Sequence, residues 1–339
     1  MKKKFKIAII GCGLISKNHF LALQNIPIAK CIAVCDIDLS KAQEAATKHG
    51  ISRVYTDYRE MLKKEDIDVV HICTPHYLHA QMTIDCFEYG KHVLCEKPMA
   101  LTVEDAKKMI AARDKAGKQL AVCFQNRYNE SSIYMKRFLQ KNCLGKLIGA
   151  RAQVTWNRKP EYYTTSTWRG KWATEGGGVL INQAIHTFDL LQWLTCEIKS
   201  VEATMSTKRL KESIEVEDTI DVLMTGKNSE RLLFYASNCY VINAPVEIEV
   251  ICEKGSLKLV GNKVTTIQGN YEEVNDFSSG TVYGKDYWGS GHGFLIEDFY
   301  KSLYTNTLFQ ISGEEAITSV KLLEAVYSSA KNNQVRSIV

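Results

Sequence analysis

Lys6-Ile-Ala-Ile-Ile-Gly-Cys-Gly-Leu-Ile-Ser16 is the stretch whose reading decides the fold. The isoleucine-rich run Lys6 to Ile10 predicts a buried strand, and a helix follows to about Gln24. Between them, Gly11 permits a tight turn. Gly13 lets a pyrophosphate approach the backbone over a helix N-terminus, which favours anions. Ser16 stands where a third glycine is usual, a position that serves helix–strand packing and tolerates a small residue. Glycines alone are weak evidence. The next strand, Ala29 to Cys35, ends in Asp36, roughly 20 residues beyond them, as a dinucleotide fingerprint requires. A carboxylate there accepts hydrogen bonds from a ribose diol and repels a 2′-phosphate. Ile37 follows, with no arginine to welcome that phosphate, so NAD is favoured over NADP.

The alternation continues outward. Leu39 to Lys48 reads as a helix closed by Gly50, and Val69 to Cys73 as a third buried strand. Thr74-Pro75 through His79 opens a helix ending near Gly90, and Val93-Leu-Cys95 is a further strand. Thr102-Val-Glu-Asp105 is a capping box, and Leu120 to Phe124 one more strand. This rhythm specifies an α/β, doubly wound parallel sheet of the Rossmann type over residues 1–124. The loops carrying Gly11, Asp36, Thr74 and Lys97 then share the carboxyl edge of the sheet, where one extended cofactor touches each. Glu96-Lys97-Pro98 ends a buried strand abruptly. A charged pair is costly in a core, but it suits the ligand crevice of such a sheet, and Pro98 biases Lys97 towards extended backbone. The bland alternative is a solvated lysine.

From Gln125 the pattern changes. Leu147 to Asn157, Ile198 to Thr207, Thr219 to Thr225, Arg231 to Asn238, Val246 to Cys252 and Ser256 to Val260 alternate like strands of one large, mostly antiparallel sheet. Inside this half Gly176-Gly-Gly178 is expected to loosen the chain before a helix from Val179 to Trp193. Asn182, His186 and Asp189, spaced four and three apart, would share a face of that helix. A satisfied core histidine is the ordinary alternative for His186. His292, just before a helix over Phe294 to Tyr304, reads as a loop or capping residue. The expected division is 1–124 and 125–339, with the last helix, Glu314 to Asn332, packing back on the first domain.

Composition narrows the class. The chain has 339 residues and a net charge of +5, with no basic stripe interleaved with aromatics, so nucleic acid is not implied. No stretch approaches the roughly 20 apolar residues of a membrane span. The 11 cysteines are odd in number, form no Cys-x-x-Cys pair and mostly sit in apolar runs. Buried free thiols in a reducing cytoplasm fit better than disulfides or a metal site.

With the glycine turn, Thr74-Pro75 and His79, Glu96-Lys97-Pro98, Gln125-Asn-Arg127-Tyr, Trp168-Arg169, Gly176 to Asp189 and Gly289-Ser-Gly-His292 in this order, the chain resembles the glucose–fructose oxidoreductase / inositol dehydrogenase / rhizopine-catabolism (Gfo/Idh/MocA) family over its whole length. The resemblance implies a nicotinamide cofactor, a polyol or sugar substrate, and a sheet face used for homo-oligomerisation. It places the family's catalytic lysine on Lys97 and its catalytic histidine on His186. Gly11, Gly13, Leu14, Ile15, Asp36, Thr74, Pro75, His79, Glu96, Lys97, Gln125 and Arg169 become the expected NAD contacts. The bond before Pro98 is often cis in the family. Where members commonly carry Asp this chain has Asn182, and an amide orients a hydroxyl but cannot take its proton.

The expected reaction is hydride transfer between a secondary ring hydroxyl and nicotinamide. Lys97 as ammonium suits the developing negative oxygen, His186 the departing proton, and Asn182 the orientation of substrate. Arg127, Trp156 and Tyr163 are candidates for sugar hydrogen bonding and stacking. A glucoside or inositol-like ring is favoured, and the lack of a long basic segment disfavours a nucleotide sugar. Two rivals remain. One is a lyase or glycosidase-type enzyme that recycles bound NAD, distinguished by whether NADH accumulates with product. The other is a non-enzymatic NAD-binding regulator, which intact Lys97 and His186 argue against.

Overall fold

The computed structural model describes residues 4–278 and 291–338, so Gly289 and Ser290 of the expected motif lie outside the described residues. The chain opens with β1 (Phe5–Ile10), α1 (Ser16–Gln24), β2 (Ala29–Cys35), α2 (Leu39–His49), β3 (Arg53–Tyr55) and α3 (Tyr58–Lys64). There follow β4 (Val69–Ile72), α4 (His79–Glu88), β5 (His92–Cys95), α5 (Val103–Ala116) and β6 (Leu120–Val122). The six strands pair in the order β3-β2-β1-β4-β5-β6, every neighbour parallel. Strand order reverses between β1 and β4, so their carboxyl ends flank the crevice of a doubly wound sheet. Local sequence supports each boundary: the Asp38 carboxylate caps α2 and the Thr102 hydroxyl caps α5, while Gly50 and Gly117 close those helices in the left-handed region. β3 and α3 were not expected. Arg53-Val-Tyr55 is a short, half-exposed edge strand with no run of apolar residues to announce it.

Next come α6 (Glu130–Gln140), β7 (Leu147–Thr155), α7 (Glu161–Thr164) and α8 (Ile185–Leu194), the last preceded by one wide π-type turn over Leu180–Ala184. The strands β8 (Ile198–Ser206), β9 (Thr219–Gly226), β10 (Arg231–Ser237), β11 (Glu247–Cys252), β12 (Gly255–Val260), β13 (Lys263–Gln268) and β14 (Tyr271–Asp276) follow. α9 (Gly291–Thr305), α10 (Gly313–Asn332) and β15 (Arg336–Ser337) end the described chain. The second sheet runs β14-β13-β12-β11-β7-β10-β9-β8-β15. Its pairs are antiparallel except β7 with β10, which is parallel. One face is sealed by helices: Phe188 of α8 meets Phe234 of β10 edge to face, centroids 5.0 Å apart. On β7, β10 and β11, Ile148, Leu233 and Ile251 are exposed.

The described residues fall into two compact units, 4–125 with 291–320 and 126–278 with 321–338. The expected second domain of 125–339 therefore gives up residues 291–320 to the first unit. Specific bonds explain this. In α9 the Tyr300 hydroxyl pairs with His71 Nε2 of β4 at 2.8 Å, Val122 N donates to Ile311 O at 3.1 Å, and Arg113 pairs with Glu314. Amphipathic periodicity marks a helix but does not say which sheet it covers. α10 passes from the first unit into the second at residue 320.

Candidate active site

The glycine turn is built for a close ligand. Gly11 has φ +91°, and a Cβ there would lie 2.6 Å from Cys73 O, so a side chain would drive β1 away from β4. A Cβ on Gly13 meets nothing within 4 Å, leaving an open approach to backbone. Ser16 is buried, and its hydroxyl donates to Gly13 O at 2.8 Å, so it braces the turn as well as packing the helix. The Asp36 carboxylate accepts from Cys12 N at 2.8 Å and Asp38 N at 2.9 Å, which fixes it beside the turn at the end of β2. Leu14 and Ile37 are exposed, at 54% and 90%; Ile15, Thr74 and Pro75 are half-buried. An open glycine and an anchored acid fit NAD: Gly13 would face the pyrophosphate and Asp36 the ribose.

Three of the expected cofactor contacts are buried. His79 is fully buried, with ring nitrogens 2.7 Å from Pro98 O and 2.9 Å from Thr74 O, so it pins two loop carbonyls. Gln125 is 2% exposed. Glu96 is 4% exposed and accepts from the Lys97 backbone N–H at 3.2 Å; His19 Nε2 lies 3.1 Å from its other oxygen. Burial raises this carboxyl, but His19 and His292 outweigh it and hold the group well below the usual carboxylate range. Lys97 itself is half-buried at the end of β5, and the Lys97–Pro98 bond is cis. His292 is a buried residue of α9, its Nε2 3.7 Å from Glu96, not a loop residue.

In the second unit the glycine run packs tightly where looseness was expected. A Cβ on Gly178 would lie 1.8 Å from Glu217 O, and one on Gly177 would lie 2.1 Å from the Tyr327 hydroxyl. Glu217 accepts from Gly178 N at 2.8 Å, Leu180 N at 3.1 Å and the Tyr327 hydroxyl at 2.9 Å. This clamp starts the π-type turn that carries Asn182, and α8 follows with His186 in its first turn, 9% exposed. A wide turn between the two breaks the regular spacing from which a shared face was read. Asp189 is occupied elsewhere: both its oxygens take bonds of 2.7 Å from Arg127, and both side chains are buried. Arg127 thus holds the helix rather than presenting an open guanidinium.

Glu175 was not anticipated. It is fully buried and accepts from Gly170 N and from the Asn182 side-chain amide. That bond turns the amide nitrogen of Asn182 towards Glu175. Burial pushes the Glu175 carboxyl up to about 7. An acid immediately before three glycines was the available signal. Of the expected sugar contacts, Tyr163 is 2% exposed, packs on Leu210, Ile214 and Val216, and its hydroxyl accepts from Asn238 at 2.8 Å. Trp156 is 6% exposed and donates its indole N–H to Ala244 O at 3.1 Å. Around them two guanidiniums share one ring: Arg158 lies 5.4 Å and Arg169 4.4 Å from the Tyr162 centroid, with Arg158 also 5.0 Å from Trp156 and Arg169 5.1 Å from Trp168. The Arg169 charge acts on the buried Glu175 carboxyl, whereas Arg158, only 8% exposed, forms no ion pair with a carboxylate among the described residues.

A doubly wound sheet with an open glycine turn and an anchored acid at the end of β2, followed by a large mixed sheet, is the arrangement of an NAD-binding oxidoreductase. Residues 5–124 match the family model described as the NAD-binding Rossmann fold of the GFO/IDH/MocA oxidoreductases, and residues 133–258 match the family's C-terminal domain. The chain is 33% identical to the WlbA dehydrogenase of Chromobacterium violaceum, solved with NADH and UDP-GlcNAcA, at a TM-score of 0.88, covering 100% of this chain and 97% of that one. It is 31% identical over 216 residues to a levoglucosan dehydrogenase of Pseudarthrobacter phenanthrenivorans, covering 60% of this chain and 55% of the relative. It is also 29% identical over 196 residues to an inositol 2-dehydrogenase of Salmonella paratyphi B, covering 57% and 55%. The chain belongs to the Gfo/Idh/MocA oxidoreductase family, and it is an NAD-binding oxidoreductase of the sugar and polyol dehydrogenase type.

Proposed function

We propose that this protein oxidises a secondary ring hydroxyl of an anionic sugar, a hexuronate joined to a nucleotide, with NAD as the hydride acceptor. The observation that carries the substrate class is Arg158, 8% exposed and stacked with Arg169 around Tyr162, which forms no ion pair with a carboxylate among the described residues. A buried guanidinium without an anion is costly, and a bound carboxylate or phosphate offsets that cost through bidentate hydrogen bonds. The full-length relative solved with UDP-GlcNAcA supports the same class. It outweighs the lack of a long basic segment, because two arginines distant from any charge run suffice.

The chemistry follows from residue types. NAD, when bound, supplies the hydride acceptor. The ammonium of Lys97 stabilises the oxygen as negative charge develops. His186 takes the hydroxyl proton. Asn182, whose amide nitrogen is engaged by Glu175, offers its carbonyl oxygen to a substrate hydroxyl. The carbon loses hydride, the oxygen loses its proton, and a ketone results.

The test is a panel of a UDP-linked hexuronate, free glucuronate, neutral glucosides and myo-inositol, followed by absorbance of reduced nicotinamide and by product. The expected result is kcat/KM at least about tenfold higher for the nucleotide hexuronate, with Arg158→Ala raising its KM by roughly tenfold and leaving KM for a neutral ring nearly unchanged. A glucoside or inositol that equals it would overturn the substrate class. Product without matching NADH would favour the cofactor-recycling reading.

A further inference from the structure

Four buried side chains of the first unit form one continuous chain. The Tyr300 hydroxyl lies 2.8 Å from His71 Nε2, His71 Nδ1 lies 2.9 Å from His19 Nδ1, and His19 Nε2 lies 3.1 Å from Glu96 Oε1. Tyr300, His71 and His19 are all 0% exposed. These groups come from α9, β4, α1 and the end of β5. We propose that Glu96 is a positioning residue for Lys97, held as an anion at the end of this one-directional hydrogen-bond chain, where it supplies the lysine's buried counter-charge and holds its backbone N–H.

The direction follows from counting donors and acceptors. An ionised carboxylate only accepts, so His19 Nε2 must carry hydrogen. A neutral His19 then accepts at Nδ1, which makes His71 the Nδ1–H tautomer with a free lone pair on Nε2 for the phenol proton of Tyr300. Every polar hydrogen in the chain has an acceptor. The arrangement with one more proton, an imidazolium at His19, reverses His71 and leaves the phenol proton without an acceptor. Other groups facing Glu96 agree with a single negative charge. Burial pushes the His71 and His292 imidazoles down towards the neutral form, and it pushes the Cys73, Cys95 and Cys123 thiols up. Lys97 is then the cation next to that carboxylate in sequence.

A metal is the alternative occupant. His19, Glu96 and Cys123 offer atoms within 4.8 Å of one another. However, both ring nitrogens of His19 already lie at hydrogen-bond distance from fixed partners. The chain of hydrogen bonds accounts for His19 and Glu96 without an ion.

The catalytic meaning of this counter-charge rests on the role proposed for Lys97, but its test needs no substrate. In the NAD-loaded protein labelled with 15N-histidine, long-range 1H–15N NMR at pH 8 should show the Nε2–H tautomer at His19 and the Nδ1–H tautomer at His71. A second sample carries ε-13C-lysine, with the Lys97 signal assigned by its loss in Lys97→Ala. Glu96→Gln should lower the Lys97 titration midpoint by about one unit, because a neighbouring negative charge is gone, and Glu96→Asp should restore it. An imidazolium at His19, the reversed tautomers, or a Lys97 midpoint unmoved in folded Glu96→Gln overturns the proposal. A stoichiometric metal in the purified holoprotein, with metal-shifted His19 resonances, does so as well.

Discussion

In the role proposed for Lys97, Lys97→Ala removes the cation that stabilises the developing negative oxygen, so turnover should fall by roughly two to four decades. NAD affinity, read by quenching of protein fluorescence, should change little, because the binding is expected to rest on Gly13 and Asp36. Near-normal turnover on a substrate identified from the panel would refute the role. The places of Gly11, Asp36 and Lys97 at strand ends were readable because each answers a local demand: a turn, an acceptor after a strand, a charge next to proline. Glu175 and Arg158 were not readable in the same way. A buried acid and a solvated one look alike in sequence, and Arg158-Lys159 resembles any exposed charge pair. Arg127 invited a sugar-binding reading, yet its partner Asp189 lies far along the chain, and only folding brings the two together.

At the scale of elements, the segment leading into α8 shows what glycine does here. A run of three suggested slack, whereas the backbone of Glu217 and the ring of Tyr327 occupy the space where side chains would be. The same clamp predicts a pH effect on stability. Burial pushes the Glu217 carboxyl from 4.5 up to about 7, despite bonds from Gly178, Leu180 and Tyr327. The folded protein therefore holds a proton that the unfolded chain releases above pH 4.5. This contribution is fully present below that value and is lost as pH rises through 7. The Glu217→Gln variant has no such loss. Measured by thermal denaturation, it should gain on the parent by on the order of 2 kcal/mol between pH 5 and 8. The buried histidines His71, His79 and His292 have depressed values and act in the opposite sense, but both proteins share them, so the difference isolates Glu217. A difference that stays flat across this range would rule out a protonated Glu217. Strand alternation announced the large sheet but could not reveal the parallel pairing of β7 with β10, since register and direction are set by the partner rather than by the strand.

For the whole molecule, all 11 cysteines are free thiols, and ten are buried or half-buried. Burial pushes Cys12, Cys31 and Cys35 up to about 12 and Cys196 up to about 11. Only Cys143 is exposed, so a colourless-to-coloured disulfide reagent at pH 8 should release one rapid equivalent, and Cys143→Ser should abolish it. Several rapid equivalents would mean that the native core opens readily. No described helix is long and apolar enough to cross a membrane. The apolar pattern of the cysteine positions made their burial legible early, because a thiol within a hydrophobic strand has nowhere else to point. The division into units was less legible: α9 belongs with a sheet completed well over a hundred residues before it.

That late return of α9 has a consequence for synthesis. When β6 leaves the ribosome, the nascent nucleotide-binding unit has its six parallel strands but neither Tyr300 to answer His71 nor Phe299 to line the apolar floor beside Phe309. Its maturation must wait for the whole intervening sheet to be translated. A premature stop anywhere in that interval leaves a half-roofed domain for proteases rather than a working cofactor carrier.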